Sequence, residues 1–470
     1  MDGVRERRVL WGVVLSIFLA AMESTVVATA MPRVVESLGG IDVYSWVFSG
    51  FLLTSTVTMP LWGRLSDLYG RRPMFLTGLT VFLFGSALSG LAQSMTQLIA
   101  FRVLQGFGAG SLITLGMTVV GDLFGLERRA RMQGYISGVW GVASLCGPMI
   151  GGLLTDHASW RWVFYINIPF GFVAMSLIAT GLREHPGIRQ RPVIDYAGVI
   201  LFTVGVAGLL VGVLEAGRVA AWGHPRVLGP LVLGAAALAV FVPVERRALE
   251  PILPLHLFRE RMVLAACATG FLAGMAMFGA ISFVPLFLQN VRGMSATAAG
   301  FVLIPFVLGW VAFSVTSARL VLRLGYRILV VVGMACLTVA FVLLSRWSAS
   351  LTQAEAMRDM LLAGVGMGLN MVPMLIAVQS AAPRADLGAA TSMTQFFRTM
   401  GGAVGLSLMG AIMARRLANG LPLVEAMHGV FVIGLIVCVG ALASAFLVPP
   451  GRARDLARVE MRSEPTRAGG

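Results

Sequence analysis

Two side chains carry charge where the chain around them carries none. Glu23 is the only charged residue between Val9 and Ala30, and Arg102 is the only one between Leu98 and Gly121. A carboxylate binds and releases a proton, whereas a guanidinium keeps its charge and can hold the carboxylate ionised until something else changes. Within a membrane helix either charge costs ~2.5–3.5 kcal/mol on insertion scales, so it faces a bundle interior or wet cavity and marks an ion or substrate path. The plainer alternative is a structural ion pair that locks the two segments together. Arg102 and Gln105 share one helical face, as do Gly106 and Ala109, which sets polar groups beside a close-packing notch.

A second group lies at Gly63-Arg64-Leu65-Ser66-Asp67-Leu68-Tyr69-Gly70-Arg71-Arg72. Gly63 permits close helix approach and Gly70 a tight turn, while Asp67 can accept hydrogen bonds from the N-terminus of a neighbouring helix. Arg71 and Arg72 call for an acid, and Asp122 at the end of the fourth apolar segment is the best candidate. A basic turn set only by membrane topology is the competing reading. Chemistry of other kinds finds no support. The five histidines are scattered, and no triad, metal cluster or phosphate loop occurs, so neither an enzyme nor a metal or cofactor site is expected. The cysteines, 146, 267, 336 and 438, all fall inside apolar runs and read as packing residues.

These residues must be positioned by membrane helices. Charged residues make up 12% of the chain and hydrophobic ones 57%, against about 25% charged in soluble domains. Apolar stretches of membrane-spanning length recur fourteen times, from 9–30 to 427–448, and their length argues for helices rather than barrel strands. Arginines cluster in alternate gaps, at 5, 7 and 8, then 64, 71 and 72, then 128, 129 and 131, and onward to 319, 323 and 327. That places both termini in the cytoplasm, which requires an even number of spans. The net charge of +14 contains no lysine. It is scattered through turns rather than gathered into a duplex-binding domain, so anionic lipid headgroups are the expected counter-charge and nucleic acid is not. The N-terminal run is too long for a signal core and reads as a retained first helix.

Two proline- and arginine-rich connectors, 183–195 and 245–261, divide the spans into six, two and six. The implied units are an N-terminal bundle (1–182), a linker with two extra helices (183–260), a C-terminal bundle (261–449) and a cytoplasmic tail (450–470). A weak repeat agrees: GRLSDLYGRR at 63–72 aligns on ARLVLRLGYR at 318–327, and GPMIGG at 147–152 falls near GGAVG at 401–405 on the same offset. Repeated bundles suggest a transporter with its site between them.

The 63–72 segment resembles the GxLxDxxGRR signature of the major facilitator superfamily. The Arg102 segment resembles that family's second motif, in which the arginine supports proton coupling. In the fifth helix, Gly147, Pro148, Gly151 and Gly152 look like the gxxxGPxxGG signature of its antiporter branch; Gly147 and Gly151 form a close-packing notch and Pro148 bends the helix. The segments 23–32 and 160–169 are similar to those of fourteen-helix drug:proton antiporters, except that aspartate is usual there at the position of Glu23. The resemblance implies an all-α cell-membrane protein of the major-facilitator fold, functional as a monomer, that exchanges protons for lipophilic drugs by alternating access. The alternatives are export of an endogenous lipid or secondary metabolite by the same coupling and, less favoured, a membrane sensor without turnover. The later helices carry no mid-span acid, which favours neutral or monocationic cargo over dications. Gln105, Met275, Phe278, Asn370, Gln395 and Arg398 are the candidate cavity residues, and Arg398 should seek an interior partner, a cavity or a route to the interface.

Overall fold

A computed structural model describes residues 3–40, 43, 46–183, 195–219 and 222–450. The 184–194 stretch, with Arg189 and Arg191, and the tail beyond residue 450 lie outside the described residues, as do the side chains of Pro148 and Arg218. Helices account for the architecture, and no strand occurs among the described residues.

The first group is α1 (Gly3–Leu38), α2 (Trp46–Tyr69), α3 (Arg71–Leu91), α4 (Met95–Leu123), α5 (Leu126–His157), α6 (Trp162–Tyr165) and α7 (Asn167–Gly181). Next come α8 (Tyr196–Val219) and α9 (Pro225–Glu245). The last group is α10 (Arg261–Asn290), α11 (Ala296–Phe301), α12 (Ile304–Leu324), α13 (Tyr326–Leu344), α14 (Gln353–Ala381), α15 (Leu387–Ala418) and α16 (Leu423–Ala445). Breaks fall where local chemistry puts them. Ser94 caps α4 by accepting from the Gln97 amide, and Thr352 with Glu355 forms a capping box at α14. The α2–α3 and α12–α13 corners turn on Gly70 and Gly325, whose φ values of 98° and 82° exclude most side chains.

Twelve helices among the described residues are long and apolar enough to cross a membrane. Two of the fourteen apolar stretches, those in α2 and α5, fall outside that set. In α2 the charge-free stretch ahead of Arg64 is diluted by Ser49, Thr54, Ser55, Thr56, Thr58 and Pro60.

Packing repeats itself. α4 lies against α2 and α3, while α1 lies against α5 and α7; correspondingly α14 lies against α12 and α13, while α10 lies against α15 and α16. The two groups meet crosswise, α2 on α15 and α5 on α12. Glycine makes the tight seams possible. A Cβ on Gly151 of α5 would sit 2.7 Å from the Val26 carbonyl oxygen of α1, and one on Gly405 of α15 would sit 2.6 Å from Met275 Cα of α10. The helices α8 and α9 pack chiefly on each other, with α8 also touching α15 and α2.

Candidate functional site

Among the described residues, three polar centres hold most of the sequence candidates. The first joins α1, α4 and α7. Glu23 and Arg102, at 0% and 1% side-chain exposure, form an ion pair through Oε1 and Nη1. The same Arg102 Nη1 donates to Gln105 Oε1 at 2.7 Å, and Nε donates to the Val47 carbonyl at 3.3 Å. Its guanidinium carbon lies 4.0 Å from the centroid of the Phe51 ring, a cation–π contact in a desolvated setting. The other Glu23 oxygen accepts from Asn167 Nδ2 at 2.6 Å, and that nitrogen also reaches Ser86 Oγ at 2.9 Å. Ser86 in turn donates to the Phe164 carbonyl. The carboxylate is thus held by one cation and one amide, all buried. Gln105 therefore belongs to this centre.

The second centre ties α2 to α15. Asp67 of α2 accepts from the backbone amides of Gly388 and Ala389, both at 2.9 Å. Those amides are the unsatisfied donors of the first turn of α15, whose own preceding residue, Asp386, makes no side-chain cap. Asp67 therefore caps a helix of the other group, placing its negative charge at the positive end of the helix dipole. Arg71 binds Asp67 Oδ1 at 2.5 Å and Asp122 Oδ2 at 2.7 Å, and also donates to Ser66 Oγ. Gly63 lets this happen, because a Cβ there would lie 2.5 Å from the Gly388 carbonyl oxygen. Arg72 is exposed.

Arg64 extends the same link and had been legible only as a topology arginine. It is buried, donating to Asp386 Oδ1 at 2.7 Å and Glu250 Oε2 at 3.0 Å, and His256 Nε2 lies 3.1 Å from Asp386 Oδ2. Asn167 and Ser86 are likewise functional-site residues that sequence reasoning missed. Asn167 lies in the quoted 160–169 segment, but an amide in an apolar run gives little warning of a carboxylate beside it.

The third centre holds Asn370, Gln395 and Arg398, which line a narrow cavity of about 40 Å³ with α10 residues including Gly270. Met275 and Phe278 do not line it. They fill the notches at Gly405 and Gly402, packing α10 on α15. In α5, Gly147 faces Thr25 and Gly151 faces Thr29 of α1, whereas a Cβ on Gly152 would meet nothing within 4 Å. Gly152 thus takes no part in the seam. Groups of three or more potential metal ligands are absent among the described residues.

Comparisons with known proteins agree with this frame. The chain is 39% identical over 422 residues to the Multidrug transporter protein MdtP of Bacillus subtilis, covering 89% of this chain and 77% of that protein. It is 34% identical to Multidrug resistance protein 3 of the same organism, covering 88% of this chain and 80% of the relative. The solved structure of the proton:xylose symporter XylE superposes with a TM-score of 0.66 at 13% identity, covering 98% of this chain and all of that one, which speaks to fold alone. The profile described as Major Facilitator Superfamily matches residues 13–406. With its repeated helix packing and apolar helices, the chain belongs to that superfamily and is a multi-pass cell-membrane transporter, not an enzyme.

Proposed function

We propose that the protein is a fourteen-span, proton-coupled antiporter that exports lipophilic small molecules, neutral or singly charged, by alternating access. Residues 1–182 and 261–449 form the two moving bundles. The 183–260 segment is an inserted helix pair, the tail from 450 is cytoplasmic, and the monomer is the working unit. The matched packing of the two groups supports this division, as does the placement of α8 and α9 on each other.

The observation that carries the coupling is the isolation of the Glu23 carboxylate among Arg102, Gln105 and Asn167. A proton arriving on Glu23 neutralises it and weakens its hold on Arg102 and Asn167. The freed arginine and amide then need other partners, which favours a different packing of α1, α4 and α7. Binding shifts a two-state equilibrium only through such a difference between states. Each pH unit supplies ~1.4 kcal/mol per proton, and each 100 mV supplies ~2.3 kcal/mol per net charge moved. Those magnitudes support gradients of tens- to hundreds-fold. The hydrogen bonds from α15 to Asp67, with the Arg64 ion pairs, act as the latch that holds the cytoplasmic end shut in the outward-facing form.

Export of drugs, rather than of another cargo, is supported by the names of the bacterial relatives. Flux in proteoliposomes under an imposed pH gradient, with a panel of dyes, drugs and lipids, tests the reading. Accumulation of dyes or drugs against their gradients is expected. A lipid or metabolite transported alone would move the protein to that class of exporter, and no proton-driven flux with any cargo would overturn coupled transport.

A further inference from the structure

Arg398 is the charge that this reading leaves unused. It sits in α15, where its Nη1 approaches the Met371 sulfur at 3.7 Å, a weak acceptor that neutralises nothing. No carboxylate among the described residues pairs with it. The acids of the C-terminal group are engaged elsewhere or lie at helix starts. Asp359 accepts from Trp347 Nε1 and Arg358, Asp386 holds Arg64 and His256, Glu355 completes the α14 capping box, and Glu425 opens α16. Glu23 is committed to Arg102. Arg398 is therefore a positive charge with no acid partner among the described residues.

The surroundings of Arg398 have the composition of a ligand site. Thr394 lines the same cavity with Gln395, whose Nε2 donates to the Met117 sulfur, and with Asn370, only 3% exposed, whose Oδ1 is an acceptor without a donor. Met367, Met371 and Met374 supply deformable apolar walls. At about 40 Å³ the cavity is far smaller than the ~300–1,000 Å³ of a drug-sized site, so it must widen to admit cargo. A membrane arginine of this kind ordinarily has an acid or a cavity partner. Here no acid among the described residues supplies that partner, and the methionine walls suit an apolar body attached to an anionic head.

We propose that Arg398 is the head-group contact for substrate, and that the preferred cargo is a lipophilic monoacid: an apolar body bearing one carboxylate or phenolate. The guanidinium presents paired donors to the anionic head, and the methionines take the body. The inference rests on the lipophile-export reading and names the substrate class of that path.

Three pyrene probes that share one aromatic body separate the possibilities: pyrenebutyrate, pyrenebutanol and pyrenebutyl-trimethylammonium. Binding to purified protein and proton-driven uptake into inside-out proteoliposomes are measured for each. Wild-type protein should favour the carboxylate by ~10-fold over the alcohol, the scale of one charge-assisted contact. Arg398→Gln should erase that preference while still binding pyrenebutanol, which reports a folded site, and Arg398→Lys should retain much of it. Should Arg398→Gln fail to fold, the wild-type order of the three head groups decides. Protein that transports the alcohol and the ammonium as well as the carboxylate keeps the export reading and overturns the role of Arg398. Wild-type protein that takes none of the three overturns the export reading and this inference with it.

Discussion

The two groups of helices are wired alike and charged differently. Each places its fourth long helix against its second and third and its first against its fifth, and the two corner glycines, Gly70 and Gly325, adopt the same unusual backbone. Yet the aligned turn that reads Asp67 and Arg71 in one group reads Leu322 and Tyr326 in the other. The crosswise contacts differ in the same way. Where α2 meets α15, Asp67 caps the helix and Arg64 reaches across. Where α5 meets α12, Gly134 and Gly141 face Val315 and Val311. Inside the membrane one group spends its arginine on Glu23, and the other leaves Arg398 unpaired. A packing scheme that works with and without these charges did not require them for folding. The asymmetry therefore points to a division of labour, with proton and latch on one side and cargo on the other.

The largest expected effect breaks the proton side. Glu23→Gln keeps the size and the hydrogen bond to Asn167 but cannot lose a proton, so uphill flux driven by a pH gradient should vanish while substrate binding persists. Continued accumulation against a gradient would assign the proton to another residue. Arg102→Ala should be worse for stability, because it strands a buried carboxylate. Breaking a buried pair in this way costs ~3–5 kcal/mol, visible as a fall in the melting temperature of detergent-solubilised protein. A melting temperature unchanged from wild type would show that water or another cation reaches Glu23.

The latch comes next. Asp67→Asn loses the charge behind two backbone hydrogen bonds, each charge-assisted bond being worth ~1.5–3 kcal/mol. The variant should insert normally and transport slowly. Charge reversal at Arg71 should be partly rescued by Asp122→Arg, since the two side chains are 2.7 Å apart. The mirror substitution, Leu322→Asp, should create no second latch, because Tyr326 rather than an arginine stands where its partner would be. Full activity in well-expressed Asp67→Asn protein would remove the latch from the mechanism.

How much of this was legible beforehand follows from the solvent. In an apolar run any charge is conspicuous, so Glu23, Arg102 and Arg398 announced themselves, and the need of Arg71 for an acid pointed to Asp122 within the same group. The cap that Asp67 provides could be foreseen as a type of contact but not assigned to α15, which follows it by more than three hundred residues. Arg64 was hidden for a related reason: topology alone accounts for a basic residue in a cytoplasmic turn, while its partners Glu250 and Asp386 lie 186 and 322 positions away. Asn167 and Ser86 are neutral and short, and nothing marks such residues as carboxylate partners until helices are assembled. Met275 and Phe278 pose the opposite difficulty. Apolar side chains in an apolar chain carry no sign of whether they face a cavity, lipid or a glycine notch.

The smallest expected effect sharpens the contrast between the two crosswise contacts. At the latch contact, Gly63→Ala would drive a methyl to 2.5 Å from the Gly388 carbonyl oxygen, a backbone atom that cannot step aside without pulling α15 off Asp67. That substitution should weaken the latch and transport together. At the contact between α5 and α12, Gly138 has its nearest neighbour, Val311 Cγ1, at 3.8 Å, which is ordinary van der Waals distance. A methyl there fits without displacement, fills apolar space, and removes the ~0.5–1 kcal/mol penalty of a mid-helix glycine. Gly138→Ala should therefore leave transport intact and raise the melting temperature slightly. If α5 must slide closely over α12 in the inward-facing form, the same methyl will slow turnover while the resting protein is still stabilised. Measuring melting temperature and flux on the one variant thus shows whether the uncharged contact merely packs or also moves.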